Sequence, residues 1–153
     1  EGSRLVLPLR PPVPGDAELR PFEDAEAAPP LEKEVLAEPE EYWQIVEDAR
    51  SGQMEMRLAD GGGRVRFPDT DLVTCSQGYE SYRVTPGDIH SAIGETRWHY
   101  EMERGDWKIR TETATTLTSD ATDFIVRARM SAWEGEDLVH EDTWDERIPR
   151  HLV

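Results

Sequence analysis

Four consecutive segments between Trp98 and Ile148 alternate apolar with charged or polar residues. Successive side chains of an extended strand point to opposite faces, so such a segment has one apolar and one polar side. Turn signals separate the four: Arg104-Gly105, Ser119-Asp120 and Glu134-Gly135-Glu136. Long alternating strands joined by short local turns predict an antiparallel meander, strongly twisted, with one buried face.

Register follows from the turns. A two-residue turn at Arg104-Gly105 places Met102 opposite Trp107, Tyr100 opposite Ile109 and Trp98 opposite Thr111. On the other side it pairs Glu101 with Lys108 and Arg97 with Glu112, and opposite charges support a register. A turn at Ser119-Asp120 sets Ile109 against Met130, Thr113 against Val126 and Glu112 against Arg127. A three-residue loop around Gly135 aligns Val126 with Trp144, Ala132 with Leu138 and Arg129 with Glu141. A two-residue loop there would turn the last strand over.

The preceding stretch also alternates. Tyr42–Val46, Met54–Leu58 and Val65–Phe67 read as strands, with weaker candidates at Leu72-Val73 and Tyr79–Val84. Thr85-Pro86-Gly87-Asp88 carries Pro and Gly at the two central places of a type II turn. Asp60-Gly61-Gly62-Gly63 reads as a hairpin loop, because glycine tolerates positive φ. No convincing amphipathic helix is present to cover the ribbon. The strands from Trp43 to Val84 are its natural cover, giving a sandwich or a partly closed barrel.

The first 40 residues are different material, holding eight of the 11 prolines. Arg4–Leu9 reads as a short strand. Pro8, Pro11, Pro12 and Pro14 then interrupt regular structure, since proline lacks a donor and fixes φ. An extended strap to Pro30 is expected, followed by a helical turn at 32–36. The expected organisation is therefore a Pro-rich strap over 1–40 and an antiparallel β-domain over 41–153.

Charge narrows the function classes. Thirty-three acids against 17 bases give a net charge of −16. Such a field repels nucleic acid and anionic membranes and leaves a basic protein as the charge-matched partner. No run reaches the ~20 apolar residues of a membrane span. The chain opens without a methionine or a signal h-region, as an excised piece of a longer protein would. The lone Cys75 forms no intrachain disulfide and reads as a half-buried thiol, and a cytoplasmic location fits.

Catalytic motifs are scarce. A serine-hydrolase elbow needs Gly-x-Ser-x-Gly, and the seven serines show none. Gly61-Gly62-Gly63 leads into a strand, whereas a phosphate cradle leads into a helix. His140 and Asp142 share a strand face, but two ligands fall short of a zinc site, and His90 and His99 have no partner at ligand spacing. No cofactor or metal is expected. The aromatic residues are the residual signal. Trp98, Tyr100, Trp107 and Trp144 fall on the inward face. They serve either as an aromatic core or, with His140 as a polar closure, as the lining of an apolar ligand pocket in a half-open barrel. Trp133 falls on the other face, where tryptophan suits a domain interface.

Ser3-Arg4-Leu5-Val6-Leu7-Pro8 with its Pro-rich sequel resembles the close of the jelly-roll domain in cocaine-esterase-like hydrolases, relatives of the X-prolyl dipeptidyl-peptidase-like serine hydrolases. Gly105-Asp106-Trp107, Thr118-Ser119-Asp120-Ala121 and Trp144-Asp145-Glu146-Arg147-Ile148-Pro149-Arg150 are similar to the end of a further β-rich domain carried by some bacterial members. The resemblance implies a C-terminal accessory domain of an α/β-hydrolase with a Ser-His-Asp triad. No triad position maps onto this sequence. Its implied partners are the catalytic and jelly-roll domains of the parent, or a second copy in a homo-oligomer, and its implied roles are packing, oligomerisation or substrate access. The alternative is a stand-alone β-domain that binds a small apolar ligand.

Overall fold

A computed structural model describes residues 4–151. Eight strands make up almost all of its regular structure: β1 (Glu34–Ala37), β2 (Tyr42–Glu47), β3 (Met54–Phe67), β4 (Leu72–Thr85), β5 (Asp88–Arg104), β6 (Trp107–Ser119), β7 (Asp123–Glu134) and β8 (Asp137–Pro149). The fold is all-β, and its six long strands run as an antiparallel meander in chain order, β3 to β8. β1 and β2 pair one after the other along the free edge of β3. All eight strands belong to one sheet, and its two ends do not pair with each other. The strands from Trp43 to Val84 therefore extend the ribbon edge to edge instead of lying across it as a cover.

The turns place each strand. Pro86-Gly87 closes the β4–β5 hairpin with Gly87 at φ 84, as a type II turn requires. Gly105-Asp106 closes β5–β6 with Gly105 at φ 58, so Arg104 faces Trp107. That shifts the expected register by two residues: Met102 faces Ile109 and Tyr100 faces Thr111. Between β6 and β7 the connection is longer than a two-residue turn. The Asp120 carboxylate accepts from the backbone N–H of Thr122 (2.9 Å) and Asp123 (2.8 Å), and Phe124 faces Ser119. Ile109 then faces Glu134 and Thr113 faces Met130.

The last hairpin departs from the expected register twice, and the two one-residue shifts add up to two, so the faces are kept. Its loop is the two residues Gly135-Glu136, with Glu134 opposite Asp137. A bulge at Val139 then inserts one residue, so Ala132 faces His140 and Ala128 faces Trp144. The bulge restores the face that a two-residue loop alone would have reversed.

Gly61-Gly62-Gly63 lies inside β3 as a bulge rather than in a loop. A Cβ at Gly61 would stand 2.4 Å from the Ser76 carbonyl oxygen, and one at Gly63 would stand 2.4 Å from that of Ala37. Backbone approaches this close exclude any side chain. The bulge marks where the edge partner of β3 changes from β2 to β1, with Pro39 in the break between them. Ser76 and Gln77 satisfy the backbone groups exposed there: Ser76 Oγ accepts from Gly62 N–H, and Gln77 Nε2 donates to the Glu40 and Asp60 carbonyls.

The expected helical turn at 32–36 is strand β1, and 31–153 forms one compact unit, so residue 40 lies inside it. The N-terminal unit ends at Pro30. Among its described residues, Arg4–Leu9 has no strand partner, and the one regular element is a short 3-10 helix at Pro14–Glu18. Asp16 holds that turn by accepting from Val13 N–H and pairing with Arg10 at 2.5 Å. Ser3, which opens the first resembling stretch, lies outside the described residues.

Candidate functional site

Residue pairing across β3–β8 divides the side chains into two faces. One face is polar and laced with ion pairs. Arg64 bridges Glu101 and Glu103, each at 2.7 Å, across two strands. Glu55 pairs with Arg57 and accepts from Ser81 Oγ, which holds its carboxyl down at about 2. Arg83 pairs with Glu95 at 2.5 Å, Arg127 with Asp145 at 3.2 Å, and Arg129 with Glu141. The partners expected from sequence are rearranged by the register shifts: Lys108 faces Glu103, Glu101 faces Arg110, and Arg97 faces Ala114. These pairs are solvent-accessible, so water and salt screen them and each adds little to stability. Their structural effect is to define the wet side of the sheet.

An open groove of about 430 Å³ crosses this polar face, with Gln77, Tyr79, Arg97, His99 and Glu112 along it and Ser131, 3% exposed, at its floor. Trp133 borders it, with the Arg110 guanidinium 4.1 Å above its ring. His99 lies between Glu101 (3.0 Å) and Glu112 (3.8 Å). Cys75 sits nearby, half-buried, and burial and the Glu101 charge push its thiol upward, away from the reactive thiolate. No group of three His, Cys, Asp or Glu side chains converges among the described residues.

The other face is apolar. It carries Met54, Met56, Leu58 and Val65 from β3, Tyr82 and Val84 from β4, and Trp98, Tyr100 and Met102 from β5. Trp107, Ile109 and Leu117 follow on β6, Phe124, Val126 and Met130 on β7, and Trp144 and Ile148 on β8. A sheet with one such face normally buries it against a second layer. Here exposure runs the opposite way to polarity. Tyr100 and Met102 are 45% and 43% exposed, while the side chains of Glu101 and Glu103, which alternate with them, are 25% and 27% exposed. Among the described residues, Ala59 and Val65 are the only buried hydrophobic side chains.

The five residues singled out from sequence all lie on this face, but they are not gathered into one pocket. Trp98 lies flat over the backbone of Gly78, its cross-strand partner, and stacks on Tyr100 with centroids 5.7 Å apart. Trp107, His140 and Trp144 are exposed and line neither the groove beside Trp98 nor the trough beside Tyr100. Two shallow troughs mark the face. One, of about 350 Å³, has Tyr82, Val84, Leu117 and Phe124; the other, of about 310 Å³, has Tyr100, Met102 and Ile109. From sequence, Met54, Tyr82 and Val84 belong to a covering layer. The pairing of Gly78 with Trp98 puts them on the same side as Tyr100, and a glycine facing a tryptophan was the available signal.

Comparison with protein-family models, with curated proteins and with solved structures finds no match to this chain.

Proposed function

We propose that this chain is a non-catalytic accessory β-domain of a larger serine hydrolase, of esterase or X-Pro peptidase type, serving packing, oligomerisation or substrate access. One observation carries the accessory role: an apolar sheet face of six long strands that has no second layer among the described residues of its own unit. A face of that kind is built to be completed by another body. The hydrolase assignment rests on the resemblance of Ser3–Pro8 with its Pro-rich sequel, and of Gly105-Asp106-Trp107, Thr118-Ser119-Asp120-Ala121 and Trp144–Arg150. In this reading the polar, ion-paired face is the solvent side and the apolar face is the docking side. The stand-alone ligand-binding reading draws support from the Trp98–Tyr100 stack alone, because the sheet does not close around a cavity.

The assay uses the chain on ester and X-Pro-amide substrates, together with the reading frame that encodes it. The expected outcome is no turnover from the chain and a Gly-x-Ser-x-Gly elbow upstream in the same frame. Turnover abolished by a single substitution within these 153 residues would overturn the non-catalytic role. A frame without a hydrolase domain would overturn the family assignment.

A further inference from the structure

We infer that the apolar face of β3–β8 is a homodimer interface, closed by the same face of a second copy of this chain. The inference is independent of which enzyme carries the domain. Six strands of about 12 residues, spaced about 4.8 Å apart, present roughly 30 by 40 Å, on the order of 1,200 Å² per copy. Two copies would bury about 2,400 Å², within the range of obligate homodimers, whose interfaces resemble a domain core cut in half. The product is a two-layer β-sandwich in which each chain supplies the layer the other lacks.

The chemistry of the face selects a copy of itself over a different partner. Its middle rows are Thr96, Thr113, Thr115 and Ala128, small side chains between bulky ones such as Tyr100 and Leu117. Small and large patches on one surface let two copies interdigitate. Glu80 accepts from the Tyr82 hydroxyl, and other acids on this face, Asp60 on β3, Glu134 at the end of β7, and Asp142 and Glu146 on β8, stand on its outer strands or at its rim, so a basic partner finds little to recognise at its centre. An anionic membrane is repelled by the net charge of −16. The β8 edge is guarded against edge-to-edge assembly as well. The outer strand β8 is exposed along its whole length, but Asp137, Glu141, Asp142, Asp145 and Glu146 line it, and acidic side chains on an edge prevent a second strand from adding.

The test places a reporter thiol on each face of the full chain in a Cys75→Ser background. Thr113→Cys lies at the centre of the apolar face, and Glu112→Cys lies beside it on the polar face. Sedimentation should give twice the 17.5 kDa chain mass at micromolar concentration. The Thr113→Cys thiol should react with maleimide at least about tenfold more slowly in the dimer than after dilution to monomer, as mass action requires. Glu112→Cys should react at one rate throughout. Equal reactivity of the two thiols at all concentrations overturns the inference. So does a protected Thr113→Cys thiol in a species of monomer mass, which means that another part of the polypeptide covers the face. Either outcome leaves the hydrolase assignment standing, because that assignment is decided by the reading frame.

Discussion

At the residue scale the most constrained contact is Gly78 beneath Trp98. A Cβ added to Gly78 would lie 2.6 Å from two carbons of the indole ring, closer than carbon atoms approach without displacement. Gly78→Ala should lift Trp98 from the sheet and break its stack on Tyr100, at a cost of about 1–3 kcal/mol, as overpacking commonly does. A lower urea midpoint with a weakened near-ultraviolet tryptophan signal is expected, and an unchanged signal would show that the ring is not held by Gly78. The double change Gly78→Ala with Trp98→Leu should recover part of the loss, since the clashing ring is gone. The sequence carried half of this contact: the alternation put Trp98 on the inward side. Its partner was hidden because register on the β4 side depends on Pro86-Gly87 and on pairing across a whole strand.

At the element scale the alternation determined which side each residue occupies, and local turn chemistry determined the register. The β5–β6 and β6–β7 registers differ from the sequence expectation by two and four residues. Both differences are even, so every face assignment survives while every named charge pair across those hairpins changes. The four-residue difference comes from Asp120, whose side chain captures two backbone N–H groups and makes a longer loop favourable. From sequence the glycine run in β3 reads as a loop, because glycine signals both turns and bulges. Only the approach of Ser76 and Ala37 distinguishes the two, and those neighbours are distant in sequence. In β8 the Val139 bulge sets the face of all that follows. Deleting Val139 should remove the extra residue together with the bulge and leave His140 opposite Ala132 and Trp144 opposite Ala128, so Trp144 and Ile148 stay on the apolar face. Hydrogen exchange should then show β8 amides keeping their protection. Protection lost in β8 alone would mean that the bulge itself holds the strand in place.

For the whole molecule, the sequence specified a sheet with one apolar face but not what completes it. Composition counted enough apolar residues for a core, and the fold spread them over a single layer, so the second layer lies outside the intramolecular pairings. Charge and apolar burial then act in opposite directions on association. Two copies together carry twice the net charge of −16, and that repulsion opposes pairing at low ionic strength. Raising salt from about 0.02 M to about 0.3 M shortens the Debye length from roughly 20 Å to under about 6 Å, removing most of that repulsion while leaving apolar contact intact. Homodimerisation through the apolar face should therefore tighten as salt rises, read as a falling dissociation constant in sedimentation equilibrium. Docking of a basic partner through the acidic surface would weaken over the same range, because screening removes its attraction. The sign of the salt dependence thus distinguishes a face closed by its own copy from a surface that recruits by charge. A dimer that dissociates on adding salt would place the contact on the ion-paired side of the sheet.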